Sequence, residues 1–399
     1  MAQDLKPVTA PVGIVLFALA MGGFAIGTTE FAAMSLLPYF SEGLGIDAPT
    51  AGHVISAYAL GVVVGAPAIA VLAAKLPRRA LLIGLMAVFA IGNALSALAP
   101  SYGWMLAFRF LSGLPHGAYF GVAALVAVSM VPATRRAQAV AGVMTGLTVA
   151  TIIGVPLASM IGQMIGWRWG FGLVAALAVL TMALIWIFAP QGGVHPGASP
   201  WRELGALKRR QVWLTLGTGA IGFGGMFAVY SYLTSTLLAV TKAPEHLIPI
   251  VLAVFGIGMT LGNIIGAKAA DKALMPSIGG ILLWSCIALV LFVFSVGNIW
   301  TITIAVFLIG CGGGLGTMLQ TRLMDVAGDA QMLAAALNHS AFNTANALGP
   351  FLGGLAIAGG YGWASTGLVG SMLALGGLMF WGLSVMSDRN KPLCEGQAS

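Results

Sequence analysis

The chain has 399 residues, of which 59% are hydrophobic and only 7% charged, and its mean hydropathy is +0.98. This composition excludes a soluble globular domain. The net charge of +7 does not indicate a nucleic-acid partner, because the basic residues collect in short loops between apolar stretches.

Apolar stretches of about 20 residues recur along the whole chain, and each can cross a hydrocarbon core about 30 Å thick. The strands of a membrane barrel would be shorter and alternating, so helices are the spanning structure that remains. We therefore predict an all-α polytopic membrane protein with twelve transmembrane helices. These spans, numbered 1 to 12, are predicted at residues 12–40, 50–73, 80–99, 103–131, 137–165, 168–189, 212–240, 247–268, 276–297, 299–320, 331–357 and 362–386.

The distribution of Lys and Arg predicts the orientation of the chain. Fifteen of the 18 basic residues fall on the side that holds both termini, whereas Arg168 and Lys242 fall on the other side and Arg109 lies within span 4. Cytoplasmic loops are enriched in Lys and Arg, so both termini are predicted to be cytoplasmic. The first apolar stretch is too long for a cleaved signal peptide and fits a retained helix better.

Span 1 contains Gly27-Thr28-Thr29-Glu30-Phe31, and Glu30 is the one acidic residue of eleven that lies well inside a span. Keeping a carboxylate ionised there without a partner costs on the order of several kcal/mol, which favours the neutral acid unless a cation or water compensates. Glu30 is therefore predicted to take up and release a proton.

Span 4 carries Arg109 and, seven residues later, His116, which is about 10.5 Å along one helical face. Glu30 is predicted at a depth between these two side chains. If spans 1 and 4 are adjacent, Arg109 would stabilise the charged form of Glu30, and protonation would free Arg109 for another partner. The alternatives are a purely structural pair for Arg109 and a core histidine for His116.

The segment from Pro190 to Gln211 is the longest polar stretch and divides the spans into six and six. We predict a cytoplasmic linker at residues 191–211. It joins an N-terminal half, residues 1–190, to a C-terminal half, residues 212–399, that ends in a short cytoplasmic tail.

The two halves share glycine and proline patterns. Gly61-x-x-x-Gly65 in span 2 corresponds to Gly258-x-x-x-Gly262 in span 8, and Pro156 in span 5 corresponds to Pro350 in span 11. Parallel duplicated halves place a substrate site near the midplane between them. Most of the glycines are expected to allow close helix packing, whereas Pro156 and Pro350 are candidate bending points for gating.

The second half has no acid or base at the depth of Glu30. Span 11 instead carries His339, Asn343 and Asn346, whose spacing places them on one helical face. Amides are costly to leave unpaired in lipid, so they are expected inside the bundle, with structural contacts and substrate binding equally open. The other candidate substrate-binding residues, for which packing is the common alternative, are Thr29, Phe31, Tyr58, Tyr119, Tyr230 and Tyr232.

Sequence signatures of several other classes of protein are missing. There is no G-x-x-x-x-G-K-[ST] loop for a nucleotide, and no cluster of His, Cys and acidic residues has the spacing of metal ligands. The three cysteines are odd in number and indicate no disulfide framework. We therefore expect neither an enzyme nor a cofactor or metal site.

Three motifs resemble those of the major facilitator superfamily, and within it the twelve-helix drug:proton antiporters. They are T-T-E-F followed by L-L-P in span 1, R-x-x-x-G-x-x-H-G from Arg109 in span 4, and G-x-P followed by G-W-R from Gly154. The sugar- and arabinose-efflux-like branch is the most similar. This resemblance covers nearly the whole chain and implies proton-driven export by alternating access, with Glu30 and Arg109 in the coupling machinery.

The chain departs from the family pattern at its gating loop. The family sequence G-x-L-A-D-R-x-G-R-R corresponds here to residues 70–79, which keep Arg78 and Arg79 but lack the glycines and the aspartate. The aspartate occurs in the second-half copy, as Asp271 beside Lys272. A salt-bridge latch is therefore not expected at the first loop, and Asp271 is the candidate for an analogous one.

The combined prediction is a monomeric exporter in the cytoplasmic membrane of a bacterial cell. It would be driven by the proton gradient and carry a small organic solute such as a drug, a sugar or a nucleoside. The first alternative is a proton-coupled symporter that imports its solute. The second is a membrane sensor or enzyme without transport, for which neither an appended domain nor a catalytic cluster is evident.

Overall fold

The computed structural model describes residues 10–72, 76–132, 135–191, 207–327 and 331–389. Within these ranges the chain forms helices and no strand, so the all-α prediction is confirmed. Ten stretches there are long and apolar enough to cross a membrane, and one of them, Glu245–Ser295, contains both span 8 and span 9. Most of the predicted linker and the C-terminal tail from residue 390 lie outside the described residues.

Most spans are single helices, and several contain a short turn of a different kind. In the first half, four spans are single helices: span 1 is Val12–Ser35, span 2 is Ala48–Leu72, span 3 is Arg78–Ala97 and span 6 is Trp167–Phe188. Span 4 consists of two helices, Tyr102–Gly113 and His116–Ser129. Span 5 consists of the helices Arg136–Val149 and Val155–Ile165, which are joined by a π-helical turn, Ala150–Gly154. In the second half, span 7 consists of the helices Arg210–Gly222 and Gly224–Thr236 and ends in a π-helical turn, Leu237–Thr241, while spans 8 and 9 form the helix Ile248–Ser295, which follows a 3-10 turn, Glu245–Leu247. Span 10 consists of the helices Ile299–Cys311 and Leu315–Ala327, which are joined by a 3-10 turn, Gly312–Gly314. Span 11 is the helix Gln331–Ala356 followed by a π-helical turn, Ile357–Tyr361, and span 12 is the helix Ser365–Arg389.

Two span boundaries differ from the predicted ones because of proline. Span 1 was predicted to reach residue 40, but it ends at Ser35, and a separate short helix, Leu37–Leu44, has Pro38 in its first turn. Spans 8 and 9 run into one another, with a single non-helical residue at Ala273 (φ −160°, ψ 84°), three residues before Pro276.

The corresponding glycines of the two halves make equivalent close contacts. A Cβ on Gly65 would lie 2.1 Å from the carbonyl oxygen of Leu114 in span 4, and one on Gly262 would lie 2.1 Å from that of Cys311 in span 10. Span 2 therefore packs against span 4 as span 8 packs against span 10, at a distance that only glycine permits.

The halves meet along spans 1, 2, 4 and 5 of the first half and spans 7, 8 and 11 of the second. Phe31 of span 1 has its ring centroid 5.6 Å from that of Tyr230 in span 7, and Ser56 Oγ of span 2 donates a 2.8 Å hydrogen bond to the Ala347 carbonyl of span 11. This interface contains the polar residues that the sequence places inside the membrane.

Candidate functional site

Glu30 joins the two halves through a hydrogen bond. Its side chain is 2% exposed, and Oε1 accepts a 3.1 Å hydrogen bond from Nδ2 of Asn346 in span 11. The one ion pair within the described ranges joins Arg322 to Asp388, so Glu30 has no cation within 4 Å there. The buried carboxyl group is thus held by a neutral amide of the opposite half.

Arg109 binds the neighbours of Glu30 and not Glu30 itself. Its side chain is 0% exposed, and Nη1 donates a 2.9 Å hydrogen bond to Thr29 Oγ1 and lies 3.4 Å from Asn93 Oδ1. Thr29 donates its hydroxyl to the same Asn93 oxygen at 2.6 Å. The guanidinium carbon lies 4.3 Å from the centroid of the Tyr58 ring, which adds a cation–π contact.

Tyr58 connects Arg109 to the histidines. Its hydroxyl lies 2.9 Å from Nδ1 of His116, and the direction of that hydrogen bond depends on the tautomer of the histidine. The ring centroid of His116 is 6.2 Å from that of His339 in span 11, and His339 stacks on Phe120 at 5.4 Å. The two halves therefore also meet at the rings of His116, Phe120 and His339.

The two asparagines of span 11 each have an unused acceptor. Asn343 and Asn346 are 0% exposed, and Nδ2 of Asn343 donates to the His339 carbonyl oxygen at 3.0 Å. Oδ1 of each has no hydrogen-bond partner among the residues that the structure describes. An unpartnered buried acceptor costs about 1–3 kcal/mol, so both oxygens are suited to a proton donor that arrives later.

The remaining candidate substrate-binding residues have different surroundings. Tyr119 donates its hydroxyl to a backbone carbonyl of span 1 at 2.8 Å, which is a packing contact. Phe31 and Tyr230 pack together between spans 1 and 7, and the hydroxyl of Tyr230 has no partner in the described structure. Tyr232 lies where spans 2, 7 and 11 meet and donates to the Pro350 carbonyl oxygen at 2.8 Å.

The candidate gating residues with charges lie at the end of the bundle predicted to be cytoplasmic. Arg78 donates a 3.3 Å hydrogen bond to the carbonyl oxygen of Leu125, and Arg79 donates to a carbonyl oxygen of span 6, so both bind within the first half. Asp271 and Lys272 are exposed beside the break at Ala273, and no ion pair through Asp271 occurs among the described residues in this conformation.

The two candidate gating prolines differ in their local structure. Pro156 follows the π-helical turn Ala150–Gly154, a wide turn of the kind that relieves the clash of a proline ring with the preceding turn. Pro350 lies within the helix Gln331–Ala356, and its carbonyl oxygen accepts the hydroxyl of Tyr232.

Asn93 is a site residue that the sequence analysis missed. It is 0% exposed, and besides accepting from Thr29 and Arg109 it donates to the Phe89 carbonyl oxygen at 2.9 Å. A lone amide in an otherwise apolar span is the signal that points to it, by the same argument that singled out the amides of span 11.

Comparison with known proteins places these residues in a family context. The sequence profile of the Major Facilitator Superfamily matches residues 19–273. The chain is 39% identical over 378 residues to the inner membrane transport protein YdhP of Escherichia coli (strain K12), which covers 94% of this chain and 96% of YdhP.

Two further relatives have names that state a function. A chloramphenicol resistance protein of Streptomyces lividans is 31% identical over 347 residues, or 85% of this chain and 87% of that protein. A probable sugar efflux transporter of Helicobacter pylori is 29% identical over 370 residues, or 92% of this chain and 93% of that protein.

A solved structure has the same fold at low sequence identity. The crystal structure of a mutant of the nucleoside transporter NupG superposes with a TM-score of 0.75 and 13% identity, and the match covers 94% of this chain and 100% of that one. At this identity the likeness shows the fold alone.

Proposed function

The chain belongs to the major facilitator superfamily, and from that premise we propose that it exports a small uncharged solute in exchange for protons, with Glu30 carrying the proton. Its family and relatives are membrane transporters, so it is a transporter of small solutes and not an enzyme. Proton exchange, export and the class of solute are the parts that we propose.

The observation that carries the proposal is the hydrogen bond between Glu30 and Asn346 across the two halves. A carboxylate can only accept from the amide, which gives one hydrogen bond. A protonated Glu30 can also donate its O–H to the unpartnered Oδ1 of Asn346, which gives two. A proton on Glu30 therefore favours the conformation in which spans 1 and 11 are closed on each other.

Loss of the proton has the opposite effect. A bare carboxylate at this buried position lacks a cation within 4 Å, and such a charge is costly in an apolar interior. Arg109 contacts Thr29, the preceding residue, and its Nε and Nη2 have no partners among the described residues. We propose that the deprotonated Glu30 turns towards Arg109 and releases Asn346, which opens the interface to the solute.

Competition between the proton and the solute then couples the two movements. The solute enters from the cytoplasm when Glu30 is deprotonated, and a proton from outside replaces it after the halves have exchanged access. Such coupling requires only that each ligand binds one conformation better than the other. The names of the chloramphenicol resistance protein and the probable sugar efflux transporter support export and an uncharged solute.

Inverted membrane vesicles test this proposal with radiolabelled chloramphenicol as the probe. An exporter concentrates the probe when the lumen is acidic, and Glu30→Gln should abolish that concentration while probe exchange without a pH gradient continues. Glu245→Gln is the matched control, because Glu245 is exposed outside the spans. Normal pH-driven concentration by Glu30→Gln would refute the role of Glu30, and probe leaving the acidic lumen with protons would indicate an importer.

A further inference from the structure

Two histidines from opposite halves face each other within the spans. His116 in span 4 is 2% exposed, and its ring centroid lies 6.2 Å from that of His339 in span 11. The face of the His339 ring stacks on Phe120 with 6° between the planes, which leaves the ring edge, where both nitrogens lie, outside that contact. Two imidazolium cations this close would repel each other, so at least one ring is neutral and has a nitrogen lone pair.

The separation of the two rings fits a shared metal ion. An ion such as Zn²⁺ lies about 2.0–2.1 Å from the imidazole nitrogen that binds it, which places the ion about 3.2 Å from the ring centroid. Two imidazoles on one ion therefore have centroids about 5.2 Å apart at a tetrahedral angle and about 6.4 Å apart when they are opposed. The observed 6.2 Å lies in this range, so rotation of the rings can bring both nitrogens onto one ion while spans 4 and 11 keep their separation.

Tyr58 holds His116 in an orientation that suits a metal ligand. The hydroxyl oxygen of Tyr58 lies 2.9 Å from Nδ1 of His116. When Nδ1 carries the proton and donates it to this oxygen, the lone pair is on Nε2, the nitrogen on the other side of the ring. Histidines that bind metal ions commonly hold their second nitrogen in a hydrogen bond of this kind, which fixes the tautomer and the direction of the ring.

Asn343 supplies a third donor atom beside His339. It follows four residues later in span 11, so the two side chains share a helical face. Its Nδ2 donates a 3.0 Å hydrogen bond to the His339 carbonyl oxygen, whereas its Oδ1 has no partner among the described residues, although Asn343 is 0% exposed. Two imidazole nitrogens, this oxygen and a water molecule make up the four positions of an open zinc site.

We propose that His116, His339 and Asn343 form a binding site for a divalent transition-metal ion of the Zn²⁺, Ni²⁺ and Cu²⁺ class, which bridges the two halves. Imidazole prefers these ions, whereas Mg²⁺ and Ca²⁺ bind mainly through carboxylates, which this set of ligands lacks. Arg109, whose guanidinium carbon lies 4.3 Å from the Tyr58 ring centroid, adds a positive charge that disfavours an ion held by charge alone. The spacing along the sequence did not predict this site, because its ligands come from both halves and one is an amide.

The position of the site gives a bound ion a structural effect. His339 lies seven residues before Asn346, about 10.5 Å along span 11 towards the end predicted to be cytoplasmic. Because its ligands come from spans 4 and 11, the ion binds best when these spans touch, and it therefore favours that conformation. The inference goes beyond the proposed function, since ion binding requires neither proton exchange nor export.

Metal binding to the purified protein tests the proposal. The protein would carry no histidine tag, its three cysteines would be replaced by serine, and its other histidines, His53, His195 and His246, by glutamine. This two-histidine chain keeps only His116 and His339. Bound Zn²⁺ is counted by competition with a chromogenic chelator, and the nitrogens bound to Cu²⁺ are counted by electron paramagnetic resonance. The matched control adds His339→Phe, which keeps an aromatic ring but has no nitrogen to bind the ion.

We expect the two-histidine chain to bind one Zn²⁺, which a large excess of Mg²⁺ does not displace, and to couple Cu²⁺ to two imidazole nitrogens. His339→Phe should bind Zn²⁺ at least about tenfold more weakly and lose the coupling to one nitrogen. Full affinity in His339→Phe, no bound ion in the two-histidine chain, or coupling to fewer than two nitrogens there would overturn the proposal. The copper spectrum requires no substitution in the site itself, so it decides the question even if His339→Phe does not fold.

Discussion

Replacing Gly52 by alanine should hold spans 2 and 11 apart at the end predicted to face outside. A Cβ at this position would lie 2.1 Å from the hydroxyl oxygen of Tyr232 and 3.5 Å from the carbonyl oxygen of Pro350. The hydroxyl cannot move away freely, because it donates a 2.8 Å hydrogen bond to that carbonyl oxygen. The added methyl group therefore has no space in the closed conformation, whereas separation of the spans provides it.

The size of the effect follows from the cost of overpacking. Extra methyl groups in a packed interior cost about 1–3 kcal/mol. If the open conformation is free of the clash, this cost shifts the equilibrium from closed to open by about 5–150-fold. Tyr232→Phe removes the clashing oxygen and, with it, one hydrogen bond that contributes about 1 kcal/mol. The nearest remaining atom, the ring carbon Cζ, lies 3.1 Å from the Cβ added at position 52. The double variant should therefore be closed more often than Gly52→Ala alone.

Distances between spin labels at Asp47 and Ala358 would measure this equilibrium. Both positions are exposed, at the ends of spans 2 and 11. We expect a longer distance to gain population in Gly52→Ala and to lose it again in Gly52→Ala with Tyr232→Phe. Gly84→Ala is the control, since a Cβ at Gly84 meets nothing within 4 Å. An unchanged distance in Gly52→Ala, or no reversal by Tyr232→Phe, would refute the steric reasoning.

Two further predictions concern hydrogen bonds that hold the first half together. Asn93→Ala should lower the free energy of unfolding, measured by detergent titration, by about 1–3 kcal/mol, because the buried Thr29 hydroxyl loses its acceptor. The control is Asn263→Ala, which removes an exposed hydrogen bond with Thr317 and should lower the free energy of unfolding by less than about 0.5 kcal/mol. Equal losses of unfolding free energy in the two variants would contradict the argument. Arg168→Ala should lower the melting temperature, because Nη1 donates to the carbonyl oxygens of residues 97 and 99 at the end of span 3, at 2.8 and 2.9 Å. Arg168→Lys should restore part of the loss, and a wild-type melting temperature for Arg168→Ala would exclude a capping role.

The spans and the family could be predicted because each depends on local sequence. The thickness of the membrane sets the length that every apolar stretch needs in order to cross it. The observed boundaries differ from the predicted ones near Pro38 and Pro276, because a proline interrupts the helix that precedes it. The resemblance to the major facilitator superfamily and its sugar-efflux-like branch is confirmed by the family match and by the relative named a probable sugar efflux transporter.

The sequence also predicted that Glu30 is the one acidic residue well inside a span, but it did not predict which residue donates a hydrogen bond to it. Asn346 lies 316 residues away in the other half, and the spacing of His339, Asn343 and Asn346 predicts only that they share a face. Which faces of two helices meet depends on packing of all the spans, and lipid provides no hydrophobic drive that a sequence pattern would reveal. For the same reason the sequence suggested a partnership of Arg109 with Glu30, whereas the structure pairs Arg109 with Thr29.

The central claim is that the solute and a proton on Glu30 exclude each other, and proton release on binding tests it most directly. Purified wild-type protein in a weakly buffered solution would be mixed with chloramphenicol while bound probe and released protons are both counted. The account predicts that the wild type releases protons as it binds and that Glu30→Gln binds without releasing any. Equal proton release by the two proteins, or binding by the wild type without release, would contradict it.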